Sequence, residues 1–339
     1  MQTTVNNLLF PTVSEANQQD AHAESPRVEL SIVVPTYKAE GCLRALHERL
    51  TRALGDLGKT YELIFVEDGS PDSSWSVLME LADSDTRVSA YKLSRNFGQQ
   101  MAITAGLSKA QGNWIVVMDC DLQDPPEFIE QLYERAQQGF DIVYATRKRR
   151  PHGKLRLLAS KMYFAIVNLF GPVNDGGKYG SFNLFSRRVK DAFLRFSDVN
   201  RHYLMILKWL GFQSSEVEYE QSSRYHGESS YGLYELLKLA VEGVFFQTTS
   251  LLKFIVVLGL FVSFAGFLVA CWAGIHYILH GGLPGWTSLT ILILLLGGAN
   301  LVSQGVVGLY VGEIFDQVKQ RPLFIISREY SARVRNPDQ

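Results

Sequence analysis

The segment MDCDLQDPPE at 118–127 holds the side chains best suited to chemistry. Asp119 and Asp121 flank a single residue directly after an apolar run, and Gln123 follows two positions later. Carboxylates at the end of a strand suit Mg²⁺ or Mn²⁺, which bridges them to phosphate oxygens and neutralises a departing diphosphate. We therefore predict a Mg²⁺ or Mn²⁺ site with Asp121 as a ligand, although an isolated Asp-x-Asp often only caps a helix. Asp124 is interpreted as such a cap, because two prolines follow it.

The elements that position these carboxylates alternate between short β-branched runs and helical stretches. The predicted strands are 29–35, 61–68, 88–93, 113–119 and 141–146, and the predicted helices are 39–55, 73–83, 98–110, 126–138 and 154–170. Strands that are apolar on both faces and separated by helices indicate an α/β fold with a mostly parallel sheet. Ligands of such sheets bind beyond the carboxyl ends of the strands. The carboxylate-rich segments 35–40, 68–72 and 119–124 all lie there.

Composition limits the partners and the compartment. The 339 residues carry a net charge of −1, so we expect no nucleic-acid partner. The three cysteines, Cys42, Cys120 and Cys271, are widely spaced and predict no disulfide framework, which fits a reducing cytosol. Residues 1–27 are polar and lack the pattern of a secretory signal, so we expect a disordered tail and a folded domain retained in the cytoplasm.

The sequence changes character after residue 230. Residues 231–250 predict an amphipathic helix, which lies in the membrane interface or packs on the folded domain. The apolar segment that follows it favours the interface. The apolar segments 254–279 and 287–311 are each long enough to cross a hydrocarbon core of about 30 Å. Their connector lacks Lys and Arg, whereas Lys253 and Lys319 lie on the other side. This predicts two transmembrane helices with cytoplasmic termini, rather than a buried hairpin of a soluble protein.

Several longer segments appear in order with the spacing of a known family. They are SIVVPTYKAEG, VEDGSPDSS, LSRNFGQQMAITAGLSKAQG, MDCDLQDPPE, YATRKRR, RYHGESSY and GLYVGEIFDQVKQRPLFII. Over about residues 29–327 the chain resembles family 2 glycosyltransferases of the GT-A fold. It is most similar to the polyprenyl-phosphate sugar transferases, the group that contains dolichol-phosphate mannose synthase and bactoprenol glucosyltransferases. The implied organisation is a tail at 1–27, a GT-A domain at 28–230, an amphipathic helix at 231–250, two transmembrane helices at 251–312 and a cytoplasmic segment at 313–339.

The resemblance also implies roles for individual residues. Pro35, Tyr37, Glu40, Asp68 and Asp119 would surround the base and ribose of a nucleotide-sugar donor, with Arg95 and Asn96 near the pocket. Asp121 and Gln123 would bind the metal, and Arg147, Arg224 and Ser229 would contact phosphates of donor or acceptor. Simpler interpretations stay open for four of these: Glu40 as a solvated carboxylate at a helix start, Asp68 as part of a turn, Arg95 in a surface ion pair, and Arg147 in a solvated or lipid-binding basic run.

The chain departs from the family pattern at Lys178, Asn183 and Ser230. The first two remove support for a carboxylate base at that place, although Asp175 is close. The absence of a carboxylate base should have little effect on the reaction, because a phosphate monoester is already ionised near neutral pH. We expect one in-line displacement at the anomeric carbon with inversion.

The implied partners are a nucleotide-sugar donor, with UDP favoured and glucose as the default sugar, and undecaprenyl phosphate in the membrane. The resemblance also implies a homo-oligomer, such as a tetramer. A small and polar stripe in the second apolar segment should face protein, either the first apolar segment or another subunit, and suggests subunit contacts, with contact to the lipid carrier as the alternative: Asn300, Gln304, Gly308 and Gly312. Two alternatives remain. A processive polysaccharide synthase is suggested by Gln221 and Arg224, but the tryptophan of its motif is absent. A non-catalytic membrane scaffold is disfavoured by the intact acidic residues.

Overall fold

The computed structural model describes residues 28–147, 179–199, 201–220 and 285–332, together with single positions between 255 and 279. The predicted tail, the predicted helix at 154–170 and the predicted amphipathic helix at 231–250 lie outside these residues. So do two of the predicted site residues, Arg224 and Ser229, and most of the first apolar segment.

The described strands form one mixed sheet. They are β1 (Leu30–Thr36), β2 (Tyr61–Glu67), β3 (Val88–Leu93), β4 (Trp114–Val117), β5 (Ile142–Arg147), β6 (Tyr179–Ser186), β7 (Ser214–Tyr219) and β8 (Ile326–Ser331). Their order across the sheet is β7-β5-β6-β4-β1-β2-β3-β8. Strands β6 and β8 run antiparallel to their neighbours, and the other pairs are parallel. The predicted α/β class is confirmed.

Helices cover both faces of this sheet. They are α1 (Leu43–Leu57), α2 (Ser74–Ser84), α3 (Gln99–Lys109), α4 (Ile129–Ala136), α5 (Arg187–Leu194) and α6 (Tyr203–Trp209), and a longer helix, α7 (Trp286–Val318), precedes β8. Residues of α1, α2 and α4 pack in one buried cluster, and residues of α3, α5 and α6 pack in another. Strand β1 contributes Ile32 and Val34 to the first cluster and Val33 to the second. This alternation explains why its sequence is apolar throughout.

All five predicted strands are present as β1 to β5, and the first four predicted helices correspond to α1 to α4, with a 3-10 turn at Pro126–Phe128 before α4. The sequence did not predict β6, β7, β8, α5 or α6. Strands β1 to β5 and β7 all end at one edge of the sheet, and β6 and β8 begin there. This carboxyl edge therefore gathers the connections that carry most of the predicted site residues.

Helix α7 reaches the same edge of the sheet. Near its end Gln317 donates through Nε2 to the backbone oxygen of Ser197 at 3.0 Å and accepts from the backbone N–H of Val199 at 3.0 Å. Strand β8 follows a few residues later, and Ser94 N donates to Ile325 O at 2.9 Å where β3 ends. Within the described part of the chain, no helix has both the length and the apolar character needed to span a bilayer.

Candidate active site

A cavity of about 280 Å³ opens at the carboxyl edge, among the connections that follow β1, β2, β3 and β4. It straddles β1, where the strand order turns toward β4 on one side and β2 on the other. The predicted site residues that line it are Pro35, Tyr37, Asp68, Asn96, Asp119 and Asp121. The sequence therefore predicted most of the lining of this cavity. Of the other predicted site residues that the structure describes, Glu40, Arg95, Gln123 and Arg147 do not line it.

The acidic loop after β4 is held by β1 and by its own turn. Met118 N donates to Val33 O at 3.1 Å, which continues the pairing of the two strands beyond β4. Gln123 N donates to Asp121 Oδ1 at 3.1 Å. Leu122, between Asp121 and Gln123, has a φ of 60°, a left-handed backbone conformation that is uncommon for a residue with a side chain of this bulk. Backbone strain of this kind persists only where the surroundings impose it.

Asp119 is one of the two acidic residues of this loop that line the cavity. Its Oδ1 accepts a hydrogen bond from Gln99 Nε2 at 2.6 Å, at the start of α3. Burial raises the pKa of Asp119, and the neighbouring charge of Asp121 adds to the rise, while Ser181 and Arg147 oppose it. A cation bound between the two carboxylates would relieve both the burial and the repulsion.

The described residues include no group of three or more His, Cys, Asp and Glu side chains able to hold a metal ion. Asp119 and Asp121 still fit a hard divalent cation, because Mg²⁺ is commonly bound by one or two carboxylates with water and substrate phosphates as the other ligands. The raised pKa of Asp119 supports the same fit, since its neighbours compensate its charged form only in part. Asp121 and Asp119 would hold such an ion together with a bound diphosphate.

Asp68 organises the loop that follows β3. Its two oxygens accept hydrogen bonds from the backbone N–H groups of Phe97, at 2.7 Å, and Gly98, at 2.8 Å. Burial raises the pKa of Asp68, and these two bonds counteract the rise. The next residue is Gly69 with a φ of 61°, where an added Cβ would lie 2.4 Å from the backbone nitrogen of Asn96. Asp68 therefore holds Asn96 at the cavity wall in addition to lining the cavity itself.

Glu40 lies outside the main cavity, in an adjoining depression that it shares with Lys38 and Pro71. Its Oε2 accepts a hydrogen bond from Ser73 N at 2.8 Å, just before α2, and its own N–H donates to Asp72 Oδ2 at 3.3 Å. These reciprocal bonds join the turn after β1 to the turn after β2. In this structure Glu40 acts at a helix start, as the simpler interpretation expected, but at the start of α2 rather than α1.

Arg95 also lies beside the cavity without lining it. Its guanidinium is 4.1 Å from the centre of the Phe97 ring, and Nη1 donates to the backbone oxygen of Asn96 at 3.2 Å. The described residues give it no ion pair of the kind that the simpler interpretation proposed. Its contacts instead brace the same loop that Asp68 holds.

Arg147, the last residue of β5, belongs to a buried polar group beside the acidic loop. Its Nε donates to the hydroxyl of Tyr219 at 3.2 Å, and its Nη2 lies 3.8 Å from Asp124 Oδ1. The Tyr219 hydroxyl in turn donates to Asp124 Oδ1. The charges of Asp119 and Asp124 both act on the guanidinium. Arg147 is therefore integrated with the site and is not simply part of a solvated basic run.

The interpretation of Asp124 as a helix cap is wrong. The following 3-10 turn has Pro125 at its cap position, with no side-chain cap bond, and Asp124 is 1% exposed. Burial raises the pKa of Asp124 to about 6, and burial likewise raises the pKa of Tyr219. The sequence also missed Tyr219, whose only signal is its place at the end of a short alternating strand. The contact joins residues 95 positions apart.

Of the three positions at which the sequence departs from the family pattern, the structure describes only Asn183. Lys178 and Ser230 lie outside the described residues, as does Asp175. Asn183 is fully buried in β6, and its Nδ2 donates to the backbone oxygens of Gly180 at 2.9 Å and Ser181 at 3.1 Å. It thereby shapes the start of β6, next to Arg147.

The fold and the cavity define an α/β protein with an acidic loop and an arginine at the carboxyl edge of its sheet. Residues 31–194 match the family described as "Glycosyl transferase family 2". The uncharacterized glycosyltransferase YkcC of Bacillus subtilis is 36% identical, over 90% of this chain and 95% of its own. The chain belongs to glycosyl transferase family 2 and is a glycosyltransferase. With the mixed sheet, this membership confirms the GT-A type of fold.

Two further relatives have more informative names. A prophage-derived bactoprenol glucosyl transferase of Shigella flexneri is 34% identical, over 89% of this chain and 99% of its own. An undecaprenyl-phosphate 4-deoxy-4-formamido-L-arabinose transferase of Proteus mirabilis is 32% identical, over 92% of this chain and 97% of its own. The similarity to both extends well beyond the matched family domain.

Proposed function

We propose that this glycosyltransferase moves a single sugar from a nucleoside-diphosphate donor to a polyprenyl phosphate at the cytoplasmic face of a membrane. The observation that carries the proposal is the juxtaposition of Asp119 and Asp121 in one cavity with Arg147 beside them. Two carboxylates suit a diphosphate bound through a divalent cation, and a guanidinium suits a phosphate. In the proposed reaction the donor brings the diphosphate and the acceptor brings the phosphate.

The reaction needs alignment and charge compensation more than proton transfer. An oxygen of the acceptor phosphate attacks the anomeric carbon while the bond from that carbon to the donor diphosphate breaks. The attacking oxygen is already ionised near neutral pH, so no side chain has to remove a proton. A single in-line displacement inverts the anomeric carbon and turns an α-linked donor into a β-linked product.

The chain's own residues divide these tasks. Asp68 holds the loop of Asn96 against the nucleotide pocket, and Tyr37 is 45% exposed at its mouth, available to contact the base. Mg²⁺ or Mn²⁺, when bound at Asp121 and Asp119, would neutralise charge that develops on the leaving diphosphate. Arg147 offsets the repulsion between two anionic reactants. Gln123, Arg224 and Ser229 are assigned to the metal and the phosphates by resemblance.

A membrane acceptor is supported by where the apolar part of the chain joins the catalytic domain. Helix α7 ends at the carboxyl edge, fixed there by Gln317 and by the pairing of β8 with β3. The predicted spans would therefore bring the cavity close to the lipid headgroups, where a polyprenyl phosphate carries its charge. The names of the two relatives above agree with such an acceptor.

We further propose that the donor is a UDP-sugar, with glucose as the default sugar. We also propose that the protein forms a homo-oligomer, such as a tetramer. The stripe along α7 includes a hydrogen bond from Gln304 Nε2 to Asn300 Oδ1 at 3.1 Å, and these side chains are exposed in the single chain. Polar groups in lipid require protein partners, which favours subunit contacts at this stripe.

The test offers purified protein a panel of radiolabelled nucleotide sugars with undecaprenyl phosphate and Mg²⁺ or Mn²⁺. We expect one sugar per lipid, β-linked, with no product after chelation of the metal. A polymer would favour a processive synthase, an α-linked product would refute the single displacement, and the absence of turnover with every donor would favour a non-catalytic scaffold.

A further inference from the structure

Arg147 is held by a short chain of buried polar contacts that leads away from the cavity. Its Nε donates to the Tyr219 hydroxyl at 3.2 Å, and that hydroxyl donates to Asp124 Oδ1. Asp124 Oδ1 also faces Nη2 of the guanidinium at 3.8 Å. The three side chains form a closed triangle, which we call the Arg147 clamp.

The fold makes this clamp rigid. Arg147 and Tyr219 are register partners in the parallel pair β5 and β7, so their backbones are fixed side by side. The Tyr219 ring packs against Phe128 at 5.4 Å and Phe182 at 5.7 Å between ring centres. Tyr219 is 4% exposed and Asp124 is 1% exposed. Neither residue lines the cavity. Both would act on it through the residues that they contact, and the charge of Asp124 also acts on Asp119 and Asp121.

The opposite side of the guanidinium is confined as well. An added Cβ at Gly180 would lie 2.9 Å from Nη2 and 3.3 Å from Cζ of Arg147. A side chain at this point of β6 would displace the end of the Arg147 side chain. The guanidinium is thus enclosed by β6, β7 and the acidic loop, and about one third of the Arg147 side chain remains exposed.

We infer that Tyr219 and Asp124 are positioning residues for the transfer reaction, because they fix the guanidinium of Arg147 for a reactant phosphate. An exposed arginine has several rotatable bonds, and ordering it on binding costs free energy that a preorganised side chain has already spent. The clamp also ties Arg147 to the acidic loop, since Asp124 follows Asp121 by three residues. The inference rests on the proposed role of Arg147 at a phosphate.

The test is a double-mutant cycle in the full-length protein. Tyr219→Phe removes only the hydroxyl and Asp124→Asn removes only the charge, and each is combined with Arg147→Ala. We expect each single variant to lower kcat/KM by roughly tenfold, because each weakens a hydrogen bond or charge contact to an ionised group. In the Arg147→Ala background the same changes should have less than about twofold effect, because the side chain they position is gone.

Tyr133→Phe is the matched control. Tyr133 is also buried and donates its hydroxyl to a carboxylate, Glu29 Oε1, at 2.9 Å, but at the opposite edge of the sheet. We expect it to leave kcat/KM within about twofold of wild type, since its bond lies far from the site. Thermal unfolding of all variants shows whether a loss of activity reflects a loss of the fold.

Each result decides the inference. Losses that persist undiminished without Arg147, or an equal loss in Tyr133→Phe, would overturn it. If the wild-type protein transfers no sugar to polyprenyl phosphate, the proposed function fails, and the cycle is then measured in affinity for Mn²⁺–UDP and for a short-chain polyprenyl phosphate. Coupling to Arg147 in either affinity would support positioning, and additivity in both would reject it.

Discussion

At the scale of single residues, Asp119 and Asp121 share a cavity but have different surroundings. Asp119 accepts a hydrogen bond from Gln99 Nε2 at 2.6 Å, at the start of α3, whereas Asp121 accepts one from the backbone N–H of Gln123 at 3.1 Å, within its own turn. Burial and the charge of Asp121 both disfavour the ionised form of Asp119. Under the proposed function Asp121 would therefore be the principal metal ligand, and Asp119 would share the charge of the cation.

Asp121→Asn should lower kcat by about 100-fold at saturating Mn²⁺, because a neutral amide holds the cation at the departing diphosphate less well than a carboxylate does. The measurement is initial-rate transfer to undecaprenyl phosphate. Asp56→Asn, at an exposed position of α1, is the matched control and should keep full activity. Undiminished turnover of Asp121→Asn would remove the metal assignment.

Asp85 is a residue whose charge stabilises the fold far from the cavity. Burial disfavours its charged form, but Arg87, through Nε at 2.8 Å and Nη2 at 2.9 Å, and His47 at 3.0 Å outweigh burial. Together they lower the pKa of Asp85 to about 2. A depressed pKa of this size corresponds to about 2 kcal/mol of stability, present above about pH 4 and lost as the pH falls toward 2.

Asp85→Asn should therefore lower the melting temperature by several degrees at pH 7. The difference in melting temperature from wild type should narrow as the pH falls from about 4 toward 2, because wild type loses this contribution as Asp85 is protonated. Thermal unfolding of both proteins across this pH range measures the difference in melting temperature. A difference that stays constant down to pH 3 would show that the carboxylate charge is not the source.

At the scale of elements, α3 sets the depth of the cavity by its close approach to the sheet. An added Cβ at Gly106 would lie 2.3 Å from Val33 Cγ1 and 3.2 Å from Val66 Cγ2. Both neighbours are stiff, buried β-branched side chains. The helix can therefore lie on β1 only with glycine at this position, and its first residues, which include Gln99, depend on that packing.

Gly106→Ala should destabilise the protein by roughly 1–3 kcal/mol, as overpacking of a tight core does. Gly55→Ala is the matched control, because this helical glycine has no atom near its would-be Cβ, and the change should be neutral or stabilising. Adding Val33→Ala to Gly106→Ala should recover part of the loss by opening space. Thermal unfolding of the three variants and the wild-type protein tests this, and an equal loss of stability at both glycines would contradict it.

The elements also show why the sequence predicted only part of the fold. Strands β1 to β4 are apolar runs that can be predicted from the local sequence alone. The acidic and polar residues just after these strands form most of the cavity lining. Strand β8 instead alternates ordinary surface residues and exists because it pairs with β3, with Ser331 opposite Ser89. The Arg147 clamp is a long-range product of the same kind, since Tyr219 meets Asp124 only after β7 joins β5.

At the scale of the whole molecule, the C-terminal part of the chain ties α7 to the catalytic sheet. Strand β8 adds to the sheet edge, and Lys109 Nζ lies 3.1 Å from Glu329 Oε2, while the Tyr330 hydroxyl donates to Asp83 Oδ1 at 2.8 Å. Gln317 fastens the helix end to the segment before α6. Under the proposed function, these attachments set the height of the cavity above the lipid headgroups.

A flexible Gly–Ser insertion between Arg321 and Phe324, combined with Gln317→Ala, should uncouple the helix from the sheet without changing the cavity. We expect the KM for the nucleotide sugar to stay within about twofold, while transfer to undecaprenyl phosphate in vesicles falls about tenfold, because the acceptor phosphate is no longer held in line. The same insertion after Gly58, in the turn that follows α1, is the control. Equal transfer by both insertion proteins would mean that the tie does not set the position of the acceptor, and a parallel loss of donor affinity would mean that the sheet itself had been disturbed.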